Sequence, residues 1–131
     1  MRGLNETISV YVVDDDDAVQ DSLAALLEPE GFAVTLFPSA DAFLEGLEAR
    51  HPGDGGPVCL LLDLHMPGKG GQELLEILVA RESGIPVVVM TGNADEKSRS
   101  RALGTGAMAF LEKPVDADVL IDTIKASRQM T

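Results

Sequence analysis

Short, continuous runs of apolar residues recur along the chain, bounded by glycine, proline or aspartate. The runs 10–13 (VYVV), 58–62 (VCLLL) and 87–90 (VVVM) are rich in valine and leucine. This composition is typical of strands that are buried on both faces of a parallel sheet. The segment 32–37 (FAVTLF) alternates more, which favours an edge strand, and 107–112 (AMAFLE) is a fifth candidate. The pattern therefore predicts five strands.

Helical periodicity fills the segments between these runs. Apolar positions spaced by three and four residues lie on one side of a helix. Four such faces are Val19, Leu23, Leu26 and Leu27; Ala40, Phe43, Leu44 and Leu47; Leu74, Leu75 and Leu78; and Ala117, Leu120, Ile121 and Ile124. We expect Gly31 to cap the end of the first helix, and Ser39 and Asp116 to begin the second and the last.

The segment 94–104 (ADEKSRSRALG) differs from the other predicted helices because it contains few apolar residues. Asn93 and Glu96 have the spacing of a capping box, which would begin a helix here. With little apolar surface to bury, this helix should be weakly packed. It is either an ordinary solvated helix or a mobile, partner-binding surface.

The alternation of strands and helices predicts an α/β fold with a parallel sheet, helices on both faces and right-handed crossovers. Five strands fit the flavodoxin-like, doubly wound (βα)5 sheet with strand order 2-1-3-4-5. Ligands of such sheets bind beyond the carboxyl ends of the strands. We expect residues 1–131 to form one domain, with 51–57 (HPGDGGP) as a surface loop.

Composition narrows the class of protein. The formal net charge is −12, from 22 acidic and 10 basic residues, which disfavours direct contact with nucleic acid. No apolar run reaches the roughly 18 residues of a membrane span, and 1–7 (MRGLNET) lacks the apolar core of a signal peptide. The only cysteine, Cys59, is expected to be a buried thiol. We therefore expect a cytoplasmic protein without a membrane partner.

Chemically distinctive residues follow four of the predicted strands: Asp14–Asp17, Asp63, Thr91 and Lys113. Each alone has an ordinary explanation as a helix cap, a turn residue or a solvated side chain. Together they would meet at one edge of a parallel sheet. Clustered carboxylates need positive charge, and oxygen ligands suit Mg²⁺. A carboxylate beside Mg²⁺ and an ammonium can accept a phosphoryl group, to which a hydroxyl can hydrogen-bond.

Four motifs carry a resemblance to a known family: VVDDDD, LLLDLHMPGKGGQEL, VVVMTGNAD and AFLEKPVDADVL. Over about residues 8–127, the chain resembles a CheY-like receiver domain of bacterial two-component response regulators. It is most similar in character to the receivers of FixJ/NarL-type transcriptional regulators. One extra glycine in GKGG departs from the usual motif without affecting the assignment.

The resemblance implies a role for each acidic residue. Asp63 matches the aspartate that accepts the phosphoryl group. Mg²⁺ would be held directly by Asp15, Asp63 and the backbone carbonyl of His65, and by Asp14 largely through water. Residues 16–17 extend the acidic run, and we expect them to begin the helix that follows.

The resemblance also implies a switch. Thr91 matches the switch hydroxyl, Phe110 the switch aromatic, and Lys113 the lysine that binds the phosphoryl group, with a cis bond to Pro114. Other matching positions are Pro67 and Gly71, in the turn after the acceptor, and His65 and Asn93, which in the family tune the lifetime of the phosphoryl group. For the His65 side chain itself we expect no catalytic role.

The function implied by the resemblance is signalling rather than enzymatic turnover. A sensor histidine kinase or a small acyl phosphate would donate the phosphoryl group, and water would later remove it. Thr91 would then move toward the group and Phe110 would turn inward. The surface formed by 94–104, the fifth strand and the last helix would respond and control an output domain or partner, in transcriptional regulation, with dimerisation as one form of that control. The chain suits either a stand-alone regulator or a receiver cut from a longer protein.

Three other functions fit the sequence less well. Asp14-x-Asp16 is similar to the first motif of haloacid-dehalogenase-like phosphatases, with Asp14 as nucleophile. However, "DA" follows where Gly-Thr or Gly-Val is usual, and DLHMP is left unexplained. A receiver-like interaction module that ignores phosphorylation would not need every site position intact. A flavodoxin would need a phosphate loop rich in hydroxyls and glycines, whereas four aspartates would repel the FMN phosphate.

Overall fold

The computed structural model describes residues 7–49, 56–66 and 68–130. Its strands are β1 (Ser9–Val13), β2 (Ala33–Phe37), β3 (Val58–Asp63), β4 (Val87–Thr91) and β5 (Ala109–Glu112). Its helices are α1 (Asp17–Leu27), α2 (Ala40–Glu48), α3 (Gly71–Ala80), α4 (Glu96–Thr105) and α5 (Ala117–Ser127), with short 3₁₀ turns at Glu28–Glu30 and Arg128–Met130.

All neighbouring strands pair in parallel, in the order β2-β1-β3-β4-β5. The predicted fold class and strand order are therefore confirmed, including the position of β2 at an edge. The run of apolar residues in β1 is continuous because this central strand is buried on both faces of the sheet. Val10 and Val12 point to one face of the sheet, whereas Tyr11 and Val13 point to the other, and both faces are buried.

Helices cover the two faces of the sheet unequally. On one face, α2, α3 and α4 pack over a core that includes Phe43, Leu75 and Ala102. On the other face, α1 and α5 pack over a core that includes Leu27 and Ile124. In a doubly wound sheet of this kind, ligands bind beyond the carboxyl ends of the strands, which is where Asp14, Asp63 and Thr91 lie.

Helix α1 ends earlier than the predicted glycine cap. It stops at Leu27, and a 3₁₀ turn follows before Gly31, whose φ of 95° and N–H bond to the Glu28 carbonyl close that turn. Pro29 explains the change, because proline has no N–H for the helical ladder. The predicted caps Ser39 and Asp116 are confirmed at the starts of α2 and α5.

The predicted capping box of Asn93 and Glu96 is wrong. Asp95 caps α4, and its side chain accepts a hydrogen bond from the Ser98 amide at 2.7 Å. The main-chain N–H of Asn93 donates to the Thr91 hydroxyl in the turn before the helix. The predicted weak packing is confirmed, since Ala102 is the only residue within Glu96–Thr105 that is buried.

Other predictions concern single segments. Cys59 is fully buried in β3, as expected. Within the described ranges, no helix combines the length and the apolarity that a membrane crossing requires. Most of the predicted 51–57 loop, and Pro67 in the predicted turn after Asp63, lie outside the described residues.

Candidate functional site at the carboxyl edge of the sheet

The acidic run after β1 divides between two tasks. Asp14 is fully buried, and its carboxylate accepts the Asp16 amide at 2.9 Å, whereas Asp15 is exposed. Asp16 caps α1 by accepting from the amides of Ala18 and Val19 at 2.9 and 3.2 Å. The prediction that the later aspartates begin the helix is confirmed, and the first two remain beside the strand ends.

Asp63 is the last residue of β3, and its side chain is buried. Its Oδ1 accepts the His65 amide at a long 3.4 Å. Behind it, Gly71 begins α3 so close to the chain that a side chain there would collide with the Asp63 carbonyl and approach Leu64 Cα to 2.8 Å. Gly71 therefore allows the turn after Asp63 to fold tightly beside the carboxylate.

Lys113 brings a positive charge to these carboxylates from β5. Its amide donates to the Thr91 carbonyl at 2.8 Å, which continues the β4–β5 ladder past Glu112, and its bond to Pro114 is cis. Lys113 Nζ lies 2.9 Å from Asp14 Oδ2 and 3.6 Å from Asp63 Oδ1. One ammonium therefore bridges the ends of β1 and β3.

Burial and charge act on these groups in opposite directions. Burial raises the pKa of Asp63 above its ordinary 3.8; Lys113 opposes this rise, and the nearby Asp14 charge adds to it. For Lys113, burial lowers the pKa, but the hydrogen bond to Asp14 and the charge of Asp63 raise it above 10.5 overall. The ammonium thus stays charged beside a carboxylate that is costly to ionise.

Carboxylate oxygens of Asp14, Asp15 and Asp63 all lie within 4.8 Å of one another. Lys113 compensates only part of their charge. A set of oxygen donors that carries surplus negative charge fits Mg²⁺, a hard cation that keeps several waters. The backbone carbonyl of His65 stays a predicted further ligand. The contact that His65 makes with Asp63 Oδ1 is through its backbone amide, not its carbonyl.

The two predicted switch residues lie on neighbouring strands, Thr91 at the end of β4 and Phe110 within β5. Thr91 ends β4 and is fully buried, and its hydroxyl accepts the Asn93 amide at 3.1 Å. Phe110 pairs with Val89 and is already buried in the core shared with α3 and α4. The inward position is therefore the one that Phe110 has here, and its movement stays a prediction.

Sequence analysis missed Gln20, a buried residue of α1. Its side-chain Nε2 donates to the Asp14 carbonyl at 2.9 Å and to the Phe37 carbonyl at 2.7 Å. The available signal was its spacing, since Gln20 precedes Leu23 and Leu27 by three and seven residues on the buried face of the helix. A polar residue at such a position needs a buried partner.

Comparison with known proteins agrees with this geometry. The family model for the response regulator receiver domain matches residues 10–125. The chain is 48% identical over 122 residues to the transcriptional regulatory protein FixJ of Azorhizobium caulinodans, which covers 93% of this chain and 56% of FixJ. It is 30% identical over 131 residues to the response regulator protein TodT of Pseudomonas putida, which covers 99% of this chain and 56% of TodT.

Solved structures show the same fold. A crystal structure described as FixJ-N superposes with a TM-score of 0.83 at 36% identity, covering 95% of both chains. A full-length FixJ from B. japonicum gives a TM-score of 0.81 at 43% identity, with 93% of this chain and 58% of that one covered. The chain spans little more than half the length of the curated relatives it matches. From its fold, its strand-end residues and these matches, the chain belongs to the response regulator receiver domain family.

Proposed function

We propose that this chain is a single receiver domain that takes a phosphoryl group onto Asp63, with Mg²⁺, from a sensor histidine kinase or a small acyl phosphate. The observation that carries the proposal is the position of Lys113, 2.9 Å from Asp14 and 3.6 Å from Asp63. This places a buried carboxylate beside one ammonium and two further carboxylates. Such an arrangement supports transfer of a group that carries negative charge.

In the proposed step, a carboxylate oxygen of Asp63 attacks phosphorus, and the bond from phosphorus to the donor nitrogen or oxygen breaks. The leaving group keeps the electron pair of that bond. When bound, Mg²⁺ neutralises charge on the transferring oxygens. Lys113 Nζ, already within 3.6 Å of Asp63, binds a phosphoryl oxygen, and the Thr91 hydroxyl donates to another.

The acid pair has a different role in this proposal. Together with Asp63 and the His65 carbonyl, Asp15 would hold the metal ion directly and Asp14 would do so largely through water, so that the charged donor can approach Asp63. The phosphatase alternative would require Asp14 as nucleophile and Asp16 as its partner. Asp16 instead accepts two amides at the start of α1, and Asp14 is held by Lys113 and the Asp16 amide. These contacts favour Asp63, a buried strand-end carboxylate, as acceptor.

Phosphorylation would add about two negative charges next to Lys113. In the proposed switch, Thr91 moves toward the phosphoryl oxygens, and the packing of Phe110 and α4 changes in response. Helix α4 is suited to this role because only Ala102 of its residues is buried. Two packings in equilibrium would mean that the active form exists at low population before phosphorylation.

The proposed output is control of transcription through an attached domain or a partner protein, with the α4-β5-α5 surface as the contact and a homodimer as one assembly. The names of the relatives support this proposal, since FixJ is a transcriptional regulatory protein and TodT a response regulator. Both are longer than this chain, which leaves room in them for an output region. The net charge of −12 fits a receiver that does not bind nucleic acid itself. The proposed location of the chain is the cytoplasm.

The test is the intact mass of the chain after incubation with acetyl phosphate, with and without Mg²⁺. We expect one phosphoryl adduct that requires Mg²⁺, is absent in Asp63→Asn, and persists in the control Asp122→Asn, which removes an exposed carboxylate of α5. An adduct that survived in Asp63→Asn and disappeared in Asp14→Asn would overturn the proposal in favour of a phosphatase-like nucleophile.

A further inference from the structure

We infer that Gln20 is a positioning residue for the metal site: its side-chain amide holds the peptide that joins Asp14 to Asp15. This inference rests on the proposed function and deepens it, because it names the residue that arranges the acid pair before a cation binds. Gln20 does not reach the carboxylates itself. It acts through the backbone between them.

A single nitrogen makes both contacts. Gln20 Nε2 carries two hydrogens and donates to the carbonyls of Asp14 and Phe37, at 2.9 and 2.7 Å. The residue is buried, with 7% of its surface exposed; its hydrogen bond to the Asp14 carbonyl is buried, and the one to the Phe37 carbonyl is partly buried. The amide thus ties α1 to the ends of both β1 and β2.

The hydrogen bond from Gln20 to the Asp14 carbonyl lies just beyond the end of β1. Val13 is the last residue of β1, paired with Phe37 on one side and Leu62 on the other. One residue later, the Asp14 amide still reaches the Phe37 carbonyl at 3.2 Å. The Asp14 carbonyl then receives its hydrogen bond from Gln20, which satisfies a buried backbone acceptor beyond the end of the strand.

Fixing this carbonyl also orients Asp15. The peptide group is planar, so the Asp14 carbonyl, the Asp15 nitrogen and the Asp15 Cα lie in one plane. A hydrogen bond that holds the carbonyl therefore sets the direction in which the chain enters Asp15. Asp15 is exposed, and the direction of its carboxylate depends on this backbone more than on side-chain packing.

Repulsion among the carboxylates of the site gives the Gln20 hydrogen bond a role in keeping them close together. Oxygens of three carboxylates are held within 4.8 Å of one another, and their mutual repulsion favours a wider spacing when no cation is bound. Gln20 opposes that widening at the peptide between the first two. Groups that orient metal ligands from outside the ligand set commonly change metal affinity by about 10-fold or more.

The variant Gln20→Met tests the inference, since methionine has similar length and volume but no donor. Isothermal titration calorimetry with Mg²⁺ should show a dissociation constant about 10-fold higher than in the unmodified chain. The matched control is Ser127→Ala, which removes a buried hydroxyl that donates to the Ile124 carbonyl in α5, away from the site. It should lower stability and leave Mg²⁺ affinity unchanged.

A second readout separates positioning from general damage. In labelling with acetyl phosphate, the Mg²⁺ concentration at half the maximal rate should rise in Gln20→Met by the same factor, while the rate at saturating Mg²⁺ stays within about twofold. If Gln20→Met does not fold, Gln20→Asn replaces it, because that amide is one methylene shorter and cannot reach both carbonyls. An intermediate Mg²⁺ affinity is expected for it.

Each outcome bears on a different claim. Equal Mg²⁺ affinity in the unmodified chain and the folded Gln20 variant would overturn the inference. A chain that binds Mg²⁺ in a Gln20-dependent way but gains no phosphoryl group on Asp63 would support the inference and contradict the proposed function. Failure of the unmodified chain to bind Mg²⁺ would overturn both.

Discussion

Lys113 Nζ and Asp14 Oδ2 form an ion pair at 2.9 Å although 99 residues of chain separate them. The carboxylate is fully buried, whereas the lysine side chain keeps 24% of its surface exposed. A buried carboxylate without a partner is costly, so this pair both stabilises the end of β1 and brings a cation within 3.6 Å of Asp63. The ion pair therefore stabilises the fold as well as positioning Lys113 beside Asp63.

Replacing Lys113 by methionine should destabilise the chain in the absence of Mg²⁺. The substitution leaves Asp14 buried without its ammonium, and we expect the free energy of unfolding to fall by about 2 kcal/mol. Urea denaturation measures this. The matched control is Lys69→Met, since Lys69 pairs at 3.0 Å with the exposed Asp41 and should change stability little. Equal losses in the two variants would contradict the argument.

Asp63→Asn should have the opposite effect on stability. Burial raises the pKa of Asp63, so its ionised form opposes folding at neutral pH without Mg²⁺. We expect the variant to be more stable than the unmodified chain there, because it removes this cost of ionisation. Because the folded pKa lies above the ordinary 3.8, the cost of ionisation is complete above the folded pKa and is lost as the pH falls through it.

Thermal denaturation of both chains across pH checks this sign. The advantage of Asp63→Asn should be largest near neutral pH and shrink as the pH approaches about 4. Added Mg²⁺ should stabilise the unmodified chain more than the variant, because the ion binds the folded carboxylates. A stability advantage of Asp63→Asn that grew as the pH fell would contradict the raised pKa of Asp63.

The two glycines Gly71 and Gly104 should respond to alanine in opposite ways. A Cβ at Gly71 would lie 2.8 Å from Leu64 Cα, a backbone atom, so Gly71→Ala should cost about 2 kcal/mol. At Gly104, within α4, a Cβ would meet nothing within 4 Å, and alanine should gain about 1 kcal/mol from helix propensity. Chemical denaturation of the two variants in parallel decides this.

Of the three helices that cover one face of the sheet, α2, α3 and α4, we expect α4 to open most easily. Its apolar packing relies on Ala102 and the partly buried Leu103. Polar contacts to α3 add to it, namely Gln72 to Thr105 at 2.9 Å and Arg101 to Glu76 at 3.2 Å. We expect amides of α4 to exchange hydrogen faster than those of α3, which buries four residues. Hydrogen-exchange mass spectrometry resolves the two.

The proposed switch adds a condition to that experiment. Phosphorylation should change exchange in α4 of the unmodified chain, and Phe110→Ala should become phosphorylated but lose most of the change. If the exchange of α4 responded equally in both, Phe110 would not couple Asp63 to this surface.

Most of the fold could be predicted because its physical signals are local. Strands buried on both faces leave runs such as 58–62, and the observed β3 differs from that run by a single added residue, Asp63. Residues at strand ends could be brought together in advance because carboxyl ends of parallel strands share an edge. Asp14, Asp63 and Lys113 do meet there.

What could not be predicted depends on which of several equivalent groups makes a contact. Asn93 and Asp95 are both capable helix caps, but α4 begins at Glu96, so Asp95 caps it and the main-chain N–H of Asn93 donates to the Thr91 hydroxyl in the preceding turn. The role of Gln20 depends on two main-chain carbonyls, which no residue pattern displays. Side-chain to main-chain bonds of this kind become visible only when the backbone is known.

The separation of 99 residues between Asp14 and Lys113 also has a consequence for biosynthesis. Contacts between distant parts of a chain form late, because a long loop must be closed first. A nascent chain that has emerged only as far as β4 already carries Asp14, Asp15 and Asp63 but lacks Lys113, with which Asp14 pairs. The charged edge of the sheet is therefore completed only when β5 docks, and a chain that ended before β5 would leave the Asp14 carboxylate without this ammonium.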